Sequence, residues 1–207
     1  ETLGRVGFDG TQQIVAYDGQ GGMPSSRLWW MLRWLGHEAV ALLDGGFAAW
    51  SREGHPVSTS VPQPTSRRFM PKIRDDRKVD ASFVVGQLGK SAFQLVDARA
   101  ADRYRGENET IDPVAGHIPG ALDRFWGLNL GADGRFKSGA ALAAEFKSLL
   151  GAREPTSVVH SCGSGVSACH NLLAMEIAGL PGALLYPGSW SEWIADKHRS
   201  IATGALP

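Results

Sequence analysis

The sequence predicts an α/β protein with a mainly parallel sheet flanked by helices. Short apolar runs alternate with segments of helical spacing, an order that is typical of parallel strands joined by crossover helices. One strand–helix–strand pattern also occurs twice, starting at residues 14 and 158, with far less chain before the first occurrence than before the second. We therefore expect a domain of this class preceded by a partial second copy.

The partial copy begins with the apolar run 14–19, which ends in a turn at Asp18 and Gly19. A helix is predicted over residues 27–35 and a second strand over 39–43. A glycine turn and a Trp then close the pattern at residues 45–50.

The longer copy repeats this order. Its early part contains a buried strand over 93–97 and a helix over 140–150, with Gly151 as the C-terminal stop. The repeated pattern follows as a strand from Val158, a helix over 168–178, a strand over 183–186 and a closing glycine turn with two Trp at 188–193.

These patterns divide the chain into residues 1–55, a proline-rich linker at 56–78, and residues 79–207. Residues 79–157 precede the repeated strand in the longer copy, whereas only residues 1–13 precede it in the partial copy. An incomplete sheet would expose unpaired strand edges. We therefore expect the chain to be the C-terminal part of a longer protein, with the missing N-terminal segment as a partner.

Composition excludes several classes of function. Hydrophobic residues form 43% of the 207 residues, and 21 basic side chains balance 21 acidic ones. A chain without net charge or a basic run argues against nucleic acid and membrane surfaces as partners, and no apolar run is long enough to span a bilayer. Two cysteines are too few for a disulfide framework, which favours a reducing compartment and a cytoplasmic location.

Cys162 is the candidate nucleophile. It stands where an apolar strand ends and a loop, residues 162–167, leads into a helix, and ligands bind at such strand ends in parallel sheets. Gly163 and Gly165 permit positive φ and bring backbone N–H groups close to the thiol. Those amides and the helix N-terminus favour a thiolate. A buried, inert cysteine is the alternative.

Three other sites compete for this loop. A thiol phosphatase needs an Arg at the sixth position after Cys162, where Ala168 stands. A dinucleotide site matches G-x-G-x-x-A but lacks the acidic residue that would bind the ribose at the next strand end. A zinc site would use the side chains of His160, Cys162, Cys169 and His170, whose spacing matches no common zinc pattern. No metal or cofactor is therefore expected. We expect Cys169 and His170 on the helix, as a core and a surface residue respectively.

Residues 162–168, C-G-S-G-V-S-A, resemble the active-site loop of the two-domain rhodanese superfamily, in its 3-mercaptopyruvate sulfurtransferase branch. Residues 116–121, G-H-I-P-G-A, are similar to the domain signature of that family, and residues 183–193 to its C-terminal signature. The resemblance covers almost the whole chain. It implies that 79–207 is a catalytic rhodanese-like domain and that 1–55 belongs to a degenerate copy, in which Asp18 stands where Cys162 stands in the second.

The resemblance also implies the chemistry. Cys162 would take sulfur from 3-mercaptopyruvate as a persulfide and pass it to thioredoxin, glutathione or cyanide. Arg103 would bind the carboxylate of the small-molecule donor, with Arg105 as the alternative. Ser164 and four loop amides would hold the persulfide; these belong to Gly163, Gly165, Val166 and Ser167. Thiosulfate as the donor, and a non-catalytic binding or sulfur-carrier module, remain the alternatives.

Several polar and aromatic side chains have structural interpretations. Arg99 and Asp97 are expected to form an internal ion pair. His117 is expected to be a hydrogen-bonded structural residue, and Trp190 and Trp193 are expected in the core.

Overall fold

The computed structural model describes residues 1–90 and 92–207. Its helices are α1 (Thr2–Arg5), α2 (Met23–Trp34), α3 (Gly46–Arg52), α4 (Ala81–Gln87), α5 (Ala101–Arg105), α6 (Gly139–Leu150), α7 (Ala168–Ile177) and α8 (Ser189–Trp193). Its strands are β1 (Ile14–Ala16), β2 (Val40–Leu42), β3 (Gln94–Asp97), β4 (Leu122–Asp123), β5 (Val158–Ser161) and β6 (Leu184–Leu185). Short 3₁₀ helices span Asp75–Arg77, Trp126–Asn129 and Pro155–Ser157.

The strands form two parallel sheets. In the described part of the chain, β1 pairs with β2, and the larger sheet has the order β4-β3-β5-β6. Every residue of β3 and β5 is buried, because helices cover both faces of the sheet. The predicted α/β class with a parallel sheet flanked by helices is confirmed.

The helices of the repeat lie close to their predicted positions. Helix α2 begins four residues before the predicted start, because Gly22 adopts a φ of +86° at the N-cap and a proline occupies the first turn. Helix α6 begins after Ser138, whose hydroxyl accepts a hydrogen bond from the amide of Ala141, and it ends at Gly151 as predicted. The two segments predicted as glycine turns contain short helices, α3 and α8.

The linker follows the surface of the first unit (residues 1–55). The amide of Arg67 donates to the carbonyl of Gly4, and the amide of Lys72 donates to the carbonyl of Leu35, both at 2.9 Å. The amide of Val79 then bonds to the carbonyl of Leu185 beside the larger sheet. Every described helix is too short or too polar to cross a membrane.

One hydrophobic cluster joins the first unit to the second (residues 79–207). Helix α2 packs against α7, and the buried indoles of Trp29 and Trp30 lie in the same cluster as Cys162 and Cys169. The first unit therefore packs directly behind the loop that carries the candidate nucleophile.

Candidate active site at the Cys162 loop

The Cys162 loop lies at the carboxyl end of β5 and leads into α7. Helix α8 holds the start of this loop. The Ser189 hydroxyl accepts the amide of Cys162 at 3.0 Å, the amide of Trp190 donates to the carbonyl of Cys162 at 2.9 Å, and the amide of Ser191 donates to the carbonyl of Gly163 at 2.9 Å. The backbone on either side of the thiol is therefore fixed by the C-terminal part of the chain.

Ser189 positions the start of the loop, a role that the sequence does not indicate. It adopts a φ of +53°, a region that costs a non-glycine residue about 1 kcal/mol. Its buried hydroxyl also donates to the carbonyl of Tyr186 at 2.9 Å. Nothing in the local sequence marks a serine for a left-handed conformation, so only the three-dimensional contact reveals this role.

Gly165 is required by the loop geometry. Its φ is +74°, and a Cβ at this position would overlap the carbonyl oxygen of Pro187. Gly163 differs, because a Cβ there would meet its nearest neighbour, Nη2 of Arg103, at 3.7 Å, an ordinary contact distance. The backbone conformation and close packing of the loop therefore require a glycine at position 165 but not at position 163.

The loop amides have no protein acceptor. Among the described residues, none of the amides of residues 163–167 donates a hydrogen bond to a protein atom, and Sγ of Cys162 accepts none. Of these residues only Gly165 is buried, Ser164 is exposed and the other three are partly buried, so the loop is accessible from the cavity. A run of backbone amides without protein acceptors typically binds an anion. These donors are therefore free to bind a negatively charged group held at Cys162.

The first unit contains such a loop with an anion in it. The Asp18 carboxylate accepts hydrogen bonds from the amides of Gln20, Gly22 and Ser25, at 2.7, 2.9 and 2.9 Å. Burial raises the pKa of Asp18, but the hydrogen bonds from Ser25, Gln20 and Gly22 outweigh burial and hold the pKa below its ordinary value. The repeated loop thus stabilises negative charge in this same chain.

A cavity of about 410 Å³ opens at Cys162, whose side chain is buried. Its lining combines apolar and polar side chains with the loop itself. The apolar residues include Met23, Ile111, Phe125 and Trp126, the polar ones Arg99, Arg103, Asp112 and Ser191, and the loop contributes Cys162, Gly163, Ser164, Val166 and Ser167. A larger cavity between residues 75–83 and 187–192 lies away from both cysteines.

Arg99 forms the expected internal ion pair. Its guanidinium lies 2.7 Å from Oδ2 of Asp97, both side chains are almost fully buried, and a second carboxylate, that of Glu109, lies 3.4 Å away. The guanidinium also stacks over the Trp190 ring at 4.9 Å. Arg99 therefore supports the wall of the cavity through buried ionic contacts.

Arg103 lies in the cavity but is already paired. Its Nη2 lies 2.8 Å from Glu109 and 3.1 Å from Asp112. With Arg99 and Asp97 included, two arginines face three carboxylates, so the group carries a formal charge of −1. Burial raises the pKa of Glu109, but hydrogen bonds from Arg103 and from the amides of Asp112 and Ile111 keep it below its ordinary value.

Other candidates lie elsewhere. Arg105 pairs with Glu107 at 2.8 Å and does not line the cavity. His117 is buried, with Nδ1 2.8 Å from the carbonyl of Tyr104, as expected of a structural histidine. Trp190 and Trp193 are buried in the core, as predicted.

The prediction that His170 is a surface residue is wrong. Its side chain is buried, because α7 packs between the sheet, α2 and α6, and its ring bonds to Asn129 and to the carbonyl of Gly21. Cys169 is buried, as predicted. In the described chain the side chains of the zinc alternative do not converge, since Nε2 of His160 faces Met175 and Cys169 bonds to Gly165.

Comparison with known proteins identifies the family. A family model of the rhodanese-like domain matches residues 2–53 and 80–196. A probable 3-mercaptopyruvate sulfurtransferase of Pseudomonas aeruginosa is 47% identical over 193 residues, which cover 93% of this chain and 68% of that protein. A thiosulfate sulfurtransferase of Gallus gallus is 36% identical, with 96% and 68% covered.

The fold comparison agrees with the sequence comparison. The crystal structure of Tum1 protein from Saccharomyces cerevisiae has a TM-score of 0.84 and 27% identity, and the match covers 99% of this chain and 73% of that one. The chain thus spans about two thirds of the length of its curated relatives. The chain belongs to the rhodanese-like domain family, and the curated relatives that it matches are sulfurtransferases, as the sequence predicts.

Proposed function

We propose that the chain transfers a sulfur atom from 3-mercaptopyruvate to a thiol acceptor, with Cys162 as the nucleophile. The observation that carries this proposal is the run of unpartnered amides at residues 163–167, beside a cysteine that opens into a cavity. The equivalent loop of the first unit holds the Asp18 carboxylate on its amides, which supports the same role toward a persulfide anion at Cys162.

The reaction needs no cofactor. The Cys162 thiolate attacks the donor sulfur, an S–S bond forms, and the C–S bond breaks with its electrons passing to the three-carbon fragment. That fragment takes the thiol proton and leaves as pyruvate. A thiolate acceptor then attacks the outer sulfur of the Cys162 persulfide, which restores the Cys162 thiolate. The amides of Gly163, Gly165, Val166 and Ser167 and the side chain of Ser164 hold the charged outer sulfur.

The charge of the cavity supports 3-mercaptopyruvate over thiosulfate. Arg103 keeps Nη1 without a protein acceptor among the described residues, and this group is proposed to bind the donor carboxylate. The paired side chains around it already carry a net negative charge, and the loop adds no basic residue. A dianion is therefore less favourable in this cavity than a monoanion with an apolar methylene.

The proposal also includes the sulfur acceptor and the cellular compartment. Both cysteines are free, which fits a reducing compartment such as the cytoplasm, where thioredoxin and glutathione supply thiols. An N-terminal segment of the same protein that completes the first unit stays a prediction.

Intact mass spectrometry tests the nucleophile. After incubation with 3-mercaptopyruvate, the chain should gain about 32 Da, the mass of one sulfur atom, on the peptide that contains Cys162. The variant Cys162→Ser should gain nothing. The matched control is Cys169→Ser, which should gain sulfur as the parent does, because burial raises the pKa of Cys169 to about 12 and keeps it a thiol. Sulfur on Cys169 would overturn the assignment.

Steady-state rates with cyanide as the acceptor distinguish the donors. We expect a higher kcat/KM with 3-mercaptopyruvate than with thiosulfate. A preference for thiosulfate would replace the proposed donor, and loading without turnover by any acceptor would instead indicate a sulfur-carrier module.

A further inference from the structure

We propose that Arg27, which belongs to the unit without a nucleophile, is a positioning residue for the Cys162 loop of the other unit. The inference rests on the proposed function, because it concerns how the loop holds charge at Cys162. It assigns a role in sulfur transfer to a residue that lies 138 positions away from the backbone group it contacts.

The contact is made on the carbonyl of Gly165. Nη1 of Arg27 donates to this oxygen at 3.2 Å and lies 3.8 Å from Sγ of Cys169. Sγ of Cys169 lies 3.4 Å from the same oxygen, and because burial keeps Cys169 protonated, its S–H is a second donor. One carbonyl of the loop is therefore held by a side chain from each unit.

Holding this carbonyl sets the direction of a loop amide. In a planar trans peptide the C=O and the following N–H point in opposite directions. The Gly165 oxygen faces Arg27, so the N–H of Val166 is directed away from Arg27. Val166 lines the Cys162 cavity, and its amide has no acceptor among residues 1–90 and 92–207. Arg27 therefore prevents rotation of this peptide, which the adjoining glycine would otherwise permit.

Arg27 differs from the cavity arginines in having no carboxylate partner among the described residues. Within the described chain it makes no salt bridge, and its guanidinium lies 5.1 Å from the Trp30 ring. Arg99 and Arg103, in contrast, are paired with three carboxylates. Arg27 is half-buried behind the loop, so its positive charge is available to stabilise an anion that the loop amides would hold.

Arg33 offers a matched control on the same helix. Its guanidinium also lies 5.1 Å from an indole, that of Trp29, but it pairs with Glu38 at 2.9 Å and Glu176 at 3.2 Å and does not touch the loop. Arg33→Gln therefore removes the same side-chain chemistry from α2 without altering the carbonyl of Gly165.

The experiment measures single-turnover loading of Cys162 by 3-mercaptopyruvate across donor concentrations. For Arg27→Gln we expect a maximal loading rate about tenfold lower than that of the parent, the size of a lost charged hydrogen bond. The half-saturating donor concentration should stay within about twofold, because Arg27 does not touch the donor. Arg27→Lys keeps the charge and should recover part of the rate. Arg33→Gln should load as the parent does.

The outcomes separate the inference from the proposed function. If the parent chain gains no sulfur, the proposed function fails. If the parent loads and Arg27→Gln loads equally fast, or if Arg33→Gln is slowed as much as Arg27→Gln, the positioning role of Arg27 is overturned while the function stands. Should Arg27→Gln unfold, Arg27→Lys is compared with Arg33→Lys, and equal loading rates for that pair overturn the inference.

Discussion

The substitution Gly165→Ala tests the geometry of the Cys162 loop most directly. Alanine at this position would have to keep a φ of +74°, which costs an L-residue about 1 to 2 kcal/mol. Its Cβ would also overlap the carbonyl oxygen of Pro187 and lie 3.0 Å from Cα of the same residue. Because the obstacle is backbone, no side-chain rotation relieves it, and overpacking of this kind costs about 1 to 3 kcal/mol more.

The free energy of unfolding should therefore fall by about 2 to 5 kcal/mol. For a chain of this size, each kcal/mol lowers Tm by about 2 to 4 °C, so the expected decrease in Tm is roughly 4 to 20 °C. Loading of Cys162 should fall as well, because relief of the overlap moves the amides of Gly165 and Val166 away from the anion that they would bind.

Urea unfolding and mass-detected loading are measured together on Gly165→Ala and on the matched variant Gly163→Ala. Gly163 has an ordinary φ, and its Cβ would meet the Arg103 guanidinium at 3.7 Å, so its stability should stay within about 0.5 kcal/mol of the parent. Equal stability of Gly165→Ala and the parent, or equal destabilisation of both variants, would refute the proposed loop geometry.

Three further predictions concern charge. Burial lowers the pKa of His160 to about 3 and that of His170 to about 4, so as pH falls from 6.5 to 5 only the unfolded chain takes up these protons. The free energy of unfolding should then fall by about 1 kcal/mol per pH unit for each histidine, because the unfolded side chains are half-protonated at pH 6.5 and almost fully protonated at pH 5. An unfolding free energy that does not change with pH over this range, measured by urea titration, would contradict the prediction. Arg99→Met leaves Asp97 buried without its cation and leaves Glu109 with Arg103 alone, and it should cost about 3 to 5 kcal/mol in urea unfolding, whereas a change below about 1 kcal/mol would mean that the Arg99–Asp97 pair is dispensable. Asp112→Asn removes one negative charge beside Arg103, so the rate with thiosulfate relative to 3-mercaptopyruvate should rise roughly 20-fold, because thiosulfate carries one more negative charge and a unit charge at ~10 Å contributes about 1.7 kcal/mol at an effective dielectric constant of about 20. An unchanged ratio would show that Asp112 does not influence donor choice.

The sequence predicts the features that depend on neighbouring residues. The repeated strand–loop–helix order places Cys162 at the end of β5. The glycine at position 165 marks the place where the loop adopts a positive φ. Helix α6 is also predictable, since its apolar spacing, its serine cap and its terminal Gly151 agree. Short elements such as α4 and α5 are too brief for periodicity to reveal.

Features that depend on distant residues are not predictable from local pattern. The sequence identifies Arg103 as a candidate, but its pairing with Asp112 and Glu109 depends on how residues 106–116 fold back over the cavity. The contact of Arg27 with Gly165 depends on the packing of α2 on α7 across the two units. Local sequence pattern predicts neither of these contacts.

The Asp18 carboxylate has a consequence for ligand titrations of this chain. A covalently tethered anion occupies its loop at an effective concentration in the millimolar range or above, which dilute solutes do not match. Sulfite, thiosulfate or iodide added at micromolar levels therefore cannot displace it. Binding of such solutes at the Cys162 loop is therefore measured without a contribution from the sequence-related loop of the first unit.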